Sequence, residues 1–96
     1  MAEFYDRRDM QSITTFTDTN SLFDFKFEAA EQLVINESNV ALEVSFDGQN
    51  VHARLPSSGP ASAINWSMHF RKKLYVRRAS GVAGSPKFVQ VIANTR

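Results

Sequence analysis

Val40-Ala41-Leu42-Glu43-Val44-Ser45-Phe46-Asp47-Gly48-Gln49-Asn50-Val51-His52-Ala53-Arg54-Leu55 is the stretch on which the fold class turns. Val40, Leu42, Val44 and Phe46 alternate with Ala41, Glu43, Ser45 and Asp47, a period of two that belongs to a half-buried strand. Asp47-Gly48 supplies the two positive-φ positions of a type I′ hairpin turn. A two-residue turn there places Val44 opposite Val51, Leu42 opposite Ala53 and Val40 opposite Leu55, with all six on one face. Glu43, His52 and Arg54 then share the other face. A slip by one residue would mix the two sets, so pattern and turn chemistry predict one register.

The same period extends outward. In Phe23-Asp24-Phe25-Lys26-Phe27-Glu28 three rings alternate with charges, so a strand gathers all three on one face. Leu33 and Ile35 continue the pattern, and Asn36-Glu37-Ser38-Asn39 reads as a polar turn. Pro56-Ser57-Ser58-Gly59-Pro60 and Ser80 to Pro86 read as loops. Between them Ile64, Trp66, Met68 and Phe70 alternate, which favours a strand, although residues 61–71 would also suit a short helix. Leu74 and Val76 mark another strand between Lys72-Lys73 and Arg77-Arg78. Phe88 to Ala93 is apolar on both faces, so it is expected at the centre of a sheet or under a partner. The expectation is an all-β chain of seven or eight short antiparallel strands in a small β-sandwich or jelly-roll-like domain over residues 12–96, a barrel being the variant. Residues 1–11 lack a stable period and read as an extended N-terminal arm, free or docked on a neighbour through Phe4 and Tyr5.

Ninety-six residues with 43% hydrophobic content and eight Phe suffice for one core and leave little room for a deep cleft. Without Cys there is no disulfide framework and no thiolate metal site. No apolar run approaches the roughly 20 residues of a membrane span, and residues 1–9 do not read as a secretory signal. Synthesis is therefore expected in a cytoplasm. Asn36-Glu37-Ser38 and Asn65-Trp66-Ser67 match the glycosylation acceptor pattern and are read as coincidental. His52 and His69 have no metal-ligand spacing, and Gly81-Val82-Ala83-Gly84 is not a phosphate-cradling loop. No catalytic residue, cofactor or metal is expected, and an enzyme is the most distant reading.

Charge is divided along the chain. Every acidic residue lies at or before Asp47, giving residues 1–47 a net charge of −7 and residues 48–96 a net of +8 within a total of +1. Such a split points to a charged partner, or to copies meeting acidic face to basic face. The densest segment is Arg71-Lys72-Lys73-Leu74-Tyr75-Val76-Arg77-Arg78. Lys73, Tyr75 and Arg77 share a strand face and could grip phosphates, but a pI near 8.1 is below the roughly 9 expected of a nucleic-acid domain. Protein carboxylates are the favoured partners. Trp66 suits core or subunit contact better than a sugar platform.

Ser45-Phe46-Asp47-Gly48, Val51 to Leu55, Trp66, Arg71 to Arg78 and Val89 to Ala93 together resemble small β-structured accessory virion proteins of tailed bacteriophages, over approximately Ser21 to Ala93. The resemblance implies a non-enzymatic subunit that decorates or cements heads, or sits at neck or tail. It would bind capsid or tail proteins and copies of itself, a trimer being one arrangement. Phe4, Tyr5, Trp66, Arg71, Lys73, Tyr75, Arg77 and Arg78 are the candidate contact residues. A carbohydrate- or receptor-binding module using Trp66 and Tyr75 is the alternative from another class.

Overall fold

The structure is a computed structural model that describes residues 3–10, 12–38, 40–56, 62–79 and 88–95. Among these, six strands form one antiparallel sheet: β1 (Glu3–Asp9), β2 (Leu22–Asn36), β3 (Leu42–Ser45), β4 (Ala53–Leu55), β5 (Ala63–Arg78) and β6 (Phe88–Asn94). Their order across the sheet is β1-β6-β2-β5-β3-β4. One 3-10 turn, Thr19–Ser21, capped by the Asp18 side chain, precedes β2.

Six strands stand where seven or eight were expected because two pairs of expected strands are continuous, while residues 3–9 add a strand. Phe23–Glu28 and Leu33–Ile35 belong to β2, and Ile64–Phe70 and Leu74–Val76 belong to β5. The strand reading of residues 63–71 holds and the helix alternative does not. Loop expectations at 57–60 and 80–86 lie outside the described residues.

No glycine or proline interrupts β2 or β5, so the chain bends inside them instead of turning. Residues 25–28 of β2 lie opposite Lys72 alone, and residues 68–70 of β5 lie opposite Ala30 alone. Each bulge contains a non-glycine residue in the left-handed region, Lys26 at φ 68° and Met68 at φ 63°. Ala29 and Ala30, both buried, occupy the corner, where small side chains let the backbone turn tightly. Phe4 lies opposite Ala93, which lies opposite Gln32. A straight β2 would carry Phe25 about 23 Å from Gln32 at roughly 3.3 Å per residue. The Phe4 and Phe25 ring centroids are 5.2 Å apart. The sheet therefore folds back on itself.

The inside of this fold holds the core: Phe23, Phe25, Val34, Leu42, Val44, Leu55, Leu74, Val76, Val89, Val91 and Ala93, with Met10 and Ile13 contributed by the connection from β1 to β2. Phe23 and Phe25 are buried as the ring pattern predicts, while Phe27, within the bulge and past the left-handed Lys26, is only partly buried. β6 is central, between β1 and β2.

Two expectations are corrected. Residues 3–9 are not an extended arm but edge strand β1, with Phe4 packed against this chain's own core. Arg8 ties that strand across the fold: its guanidinium lies 4.0 Å from the centre of the Phe23 ring and donates to the Leu22 carbonyl. The β3–β4 register is also displaced. Val44 faces Ala53, Glu43 faces Arg54 and Leu42 faces Leu55. The turn is longer because the Asp47 carboxylate accepts from the N–H groups of Gln49 and Asn50, while Ser45 Oγ accepts from that of Gly48. These local bonds compete with a two-residue hairpin. The displacement is two residues, so Leu42, Val44 and Leu55 remain inward, and only Val51 is left in the loop, 44% exposed.

Gly48 keeps a positive φ of 79°, and an added Cβ would lie 3.1 Å from the Tyr75 ring. Gly48→Val should cost at least about 1 kcal/mol in chemical denaturation. Phe25→Ala should cost about 3–5 kcal/mol, the range for an enclosed ring. Lys26→Gly should be within about 0.5 kcal/mol of wild type, because relief of the left-handed strain offsets the added freedom of the unfolded chain. A loss of more than about 1 kcal/mol there would mean that Lys26 occupies a regular strand position.

Candidate interaction surface

Part of the basic segment of β5 is tied into the rest of the chain. Leu74 and Val76 point into the core, so Lys73, Tyr75 and Arg77 face the other way. Phe16 covers two of the three: its ring is 6.5 Å from that of Tyr75 and 4.1 Å from the Arg77 guanidinium. Phe16 is held there by a connection anchored at Ile13, whose carbonyl accepts from the Arg78 N–H, and at Ser21, whose hydroxyl donates to the Val76 carbonyl. Arg77 Nε donates to Glu43 Oε1 at 2.9 Å across the β3–β5 pair. Lys73 is exposed opposite Asp24, whose carboxyl is held below its ordinary range chiefly by the Lys26 N–H. Arg78, half-buried, lies opposite Leu42. Tyr75 and Arg77 thus lie beside the Phe16 ring and Arg77 is joined to a carboxylate, while Lys72 and Lys73 are exposed.

Arg71 lies apart from these. Its guanidinium stacks 3.6 Å from the Phe46 ring centre and donates to Gln32 Oε1 at 2.8 Å. Burial pushes its pKa down. Gln32 is itself buried and donates to the carbonyls of Ala29 and His69, one from each bend. Phe46 also stacks on His52, at 5.0 Å between ring centres, and meets Trp66 edge-on at 5.2 Å. His52 Nδ1 accepts from the Phe46 N–H. Trp66 and Arg71 thus brace the corner between β5 and the β3–β4 loop, and Trp66 is half-buried.

The open surface lies elsewhere. On the outward side of the sheet, Tyr5 pairs with Ile92 and Ile92 with Leu33, a cross-strand apolar row. Tyr5 is 61% exposed. Glu3 and Glu31 border this row on one side, and Arg7, bonded to Glu37, on the other. At the bend of β5, Met68 and Phe70 are 71% and 59% exposed. Of the candidate contact residues, Tyr5 and Lys73 face solvent, whereas Phe4, Trp66, Arg71, Tyr75, Arg77 and Arg78 have contacts within the chain. Sequence reasoning did not single out Leu33 or Ile92, since each is an ordinary alternating position until the β1–β6–β2 order is known.

An open groove of about 430 Å³ lies beside the Asp47 loop, lined by Phe16, Asp18, Leu22, Gly48, Gln49 and Tyr75 among others. Among the described residues, no group of three His, Cys, Asp or Glu could hold a metal ion. Asn36 is not an available glycan acceptor, because its buried amide donates to the carbonyls of Val40, Leu55 and Pro56. No family model, curated protein or solved structure matches the chain.

Arg77→Glu should lower stability by about 1–3 kcal/mol, since it leaves Glu43 facing a like charge. Adding Glu43→Arg should recover part of that loss, read as a coupling energy in a double-mutant cycle. Stability should also fall on acidification. Asp47 is held well below the ordinary carboxylate range by the N–H groups of Asn50 and Gln49, and Glu37 is lowered by Arg7 and Gln90. Lowered native pKa values contribute stability above the unfolded values near pH 4, and that contribution is lost as pH falls further. The denaturation midpoint should therefore hold between about pH 5 and 7 and drop below about pH 4. Asp47→Ala should lower the plateau and make the drop shallower.

Proposed function

We propose that this chain is a non-enzymatic structural subunit of a tailed-bacteriophage virion, a head decoration or cement protein that binds the capsid surface. The sheet, folded back so that its two halves face each other, is read as the small β-sandwich of such a subunit, with one continuous sheet supplying both layers. The observation that carries the reading is the apolar row Tyr5–Ile92–Leu33 on the outward side of the sheet, bordered by Glu3, Glu31 and Arg7. An apolar centre with a charged rim is the anatomy of a protein contact. The resemblance of the β5 and hairpin segments to accessory virion proteins supplies the particle. A neck or tail position is the variant within this class.

The internal closure of charge supports a protein partner over a nucleic acid. Arg77 of the basic half meets Glu43 of the acidic half within the fold, so this part of the basic segment already has a protein carboxylate as its partner. A glycan-binding module is the second reading, favoured by the groove in which Tyr75 and Phe16 lie beside Asp18, Asp47 and Gln49. Rings beside carboxylates and amides suit a sugar's apolar face and hydroxyls.

Sedimentation of the purified protein with empty phage heads tests the proposal. The protein should pellet with heads, and Tyr5→Glu combined with Ile92→Glu should abolish pelleting while leaving the β-sheet circular dichroism unchanged. Failure to pellet with heads, necks or tails would refute the virion reading. Binding on a glycan array, lost in Tyr75→Ala, would establish the second reading instead.

A further inference from the structure

A sheet that does not close into a barrel must manage its free edges, and this one does so unevenly. β1 forms one edge and carries Glu3, Asp6, Arg7, Arg8 and Asp9 among its seven residues. β4, at the other end, has only three residues, with Arg54 at its centre. Both are guarded in the usual ways, by charge and by shortness. The bend also leaves edges inside the two long strands: β2 pairs with β6 only from Glu31 to Asn36, so its Leu22–Ala30 stretch, guarded by Asp24, Lys26 and Glu28, is unpaired on that side among the described residues. β5 pairs with β3 only from Tyr75 to Arg78, so no described residue pairs with that side of β5 between Ala63 and Lys72. Ala63-Ile64-Asn65-Trp66-Ser67-Met68-His69-Phe70 contains no Lys, Arg, Asp or Glu. Ala63, Asn65 and Ser67 are exposed, and Met68 and Phe70 stand at the end of the segment as exposed apolar side chains.

We propose that two copies of this chain pair antiparallel through Ala63–Ser67, with the two-fold axis passing at Asn65. The left-handed residue Met68 ends the regular strand and so sets the length of the pairing. Centred on Asn65, the register is self-complementary: Ile64 of one copy faces Trp66 of the other, twice, and Ala63 faces Ser67. Aromatic and β-branched residues are favourable cross-strand partners. The two Asn65 side chains meet on the outward face, where their amides can donate and accept reciprocally. Met68 and Phe70 then overhang the partner.

A second copy is the fitting occupant because an uncharged edge makes no charge-specific demand, and among the described strand edges this one is itself uncharged. Pairing with β1, β4 or the open stretch of β2 of another molecule would set its uncharged side chains against charges. An isologous contact of this kind closes as a dimer and not as a ring of three. The inference stands apart from the virion reading, since dimers can form whether or not heads are bound.

Sedimentation equilibrium of the full chain tests it. The wild type should show a concentration-dependent monomer–dimer equilibrium. Asn65→Lys sets like charges directly opposite each other and should raise the dissociation constant at least about tenfold, roughly 1.4 kcal/mol. Mixing Asn65→Lys with Asn65→Glu should restore a heterodimer. Hydrogen exchange of the wild type keeps the test independent of how the variants fold: amides within 63–67 should gain protection as concentration rises. A wild type that stays monomeric up to millimolar concentration would overturn the proposal. So would dimers that Asn65→Lys leaves intact, or protection gained at other segments only.

Discussion

The double bend at Lys26 and Met68 is the constraint from which the rest of the structure follows. Either bulge alone would interrupt the β2–β5 ladder; together they let both strands turn the same corner and resume pairing beyond it. Left-handed geometry at a non-glycine residue costs roughly 1–2 kcal/mol. Tertiary packing offsets that cost, because the bend brings Phe25 onto Phe4 and Phe23 under Arg8. The corner is also braced from within, by Gln32 bridging carbonyls of both bends and presenting its oxygen to Arg71. A polar network of this kind is stabilising only when its members are satisfied, and the Gln32 amide is.

Charge along the chain acquires its meaning from this geometry. An acidic first half and an acid-free second half look like a device for meeting another molecule, yet the antiparallel pairing of β3 with β5 sets Glu43 directly opposite Arg77. At this one position topology brings the two halves of the charge pattern together. Elsewhere on the outward side of the sheet, Tyr5, Ile92 and Leu33 form a short apolar row beside Glu3, Glu31 and Arg7.

How much of this was legible in the sequence depended on the range of the interaction involved. Alternation at Val40–Phe46 and Phe23–Phe25 identified strands and their inward faces, because period two is a property of the chain itself. Asp47-Gly48 identified the turn but not its length: Ser45, Asp47 and Asn50 form local bonds that displace the register by two residues, which parity cannot detect. The continuity of β2 and β5 was hidden because bends at Lys26 and Met68 carry none of the usual glycine or proline signals. Asn36 read as a turn residue, although its amide gathers three carbonyls from separate segments. Leu33 and Ile92 became a row only through strand order, a long-range property that no local pattern encodes.

The ladder between β1 and β6 has a consequence for biosynthesis. Among the described residues, the first strand of the sheet pairs along its length only with the last, Glu3 opposite Asn94. At roughly 5–20 residues per second, β1 waits on the order of 4–16 s for its partner to be made. Until then Phe4 and Tyr5 are carried on a nascent chain with no sheet edge to join. The five charges of β1 keep it soluble through that interval, and the same charges later guard the edge it forms. The sheet therefore completes only after β6 has left the ribosome, and a chain interrupted before that point has no native register for its first strand.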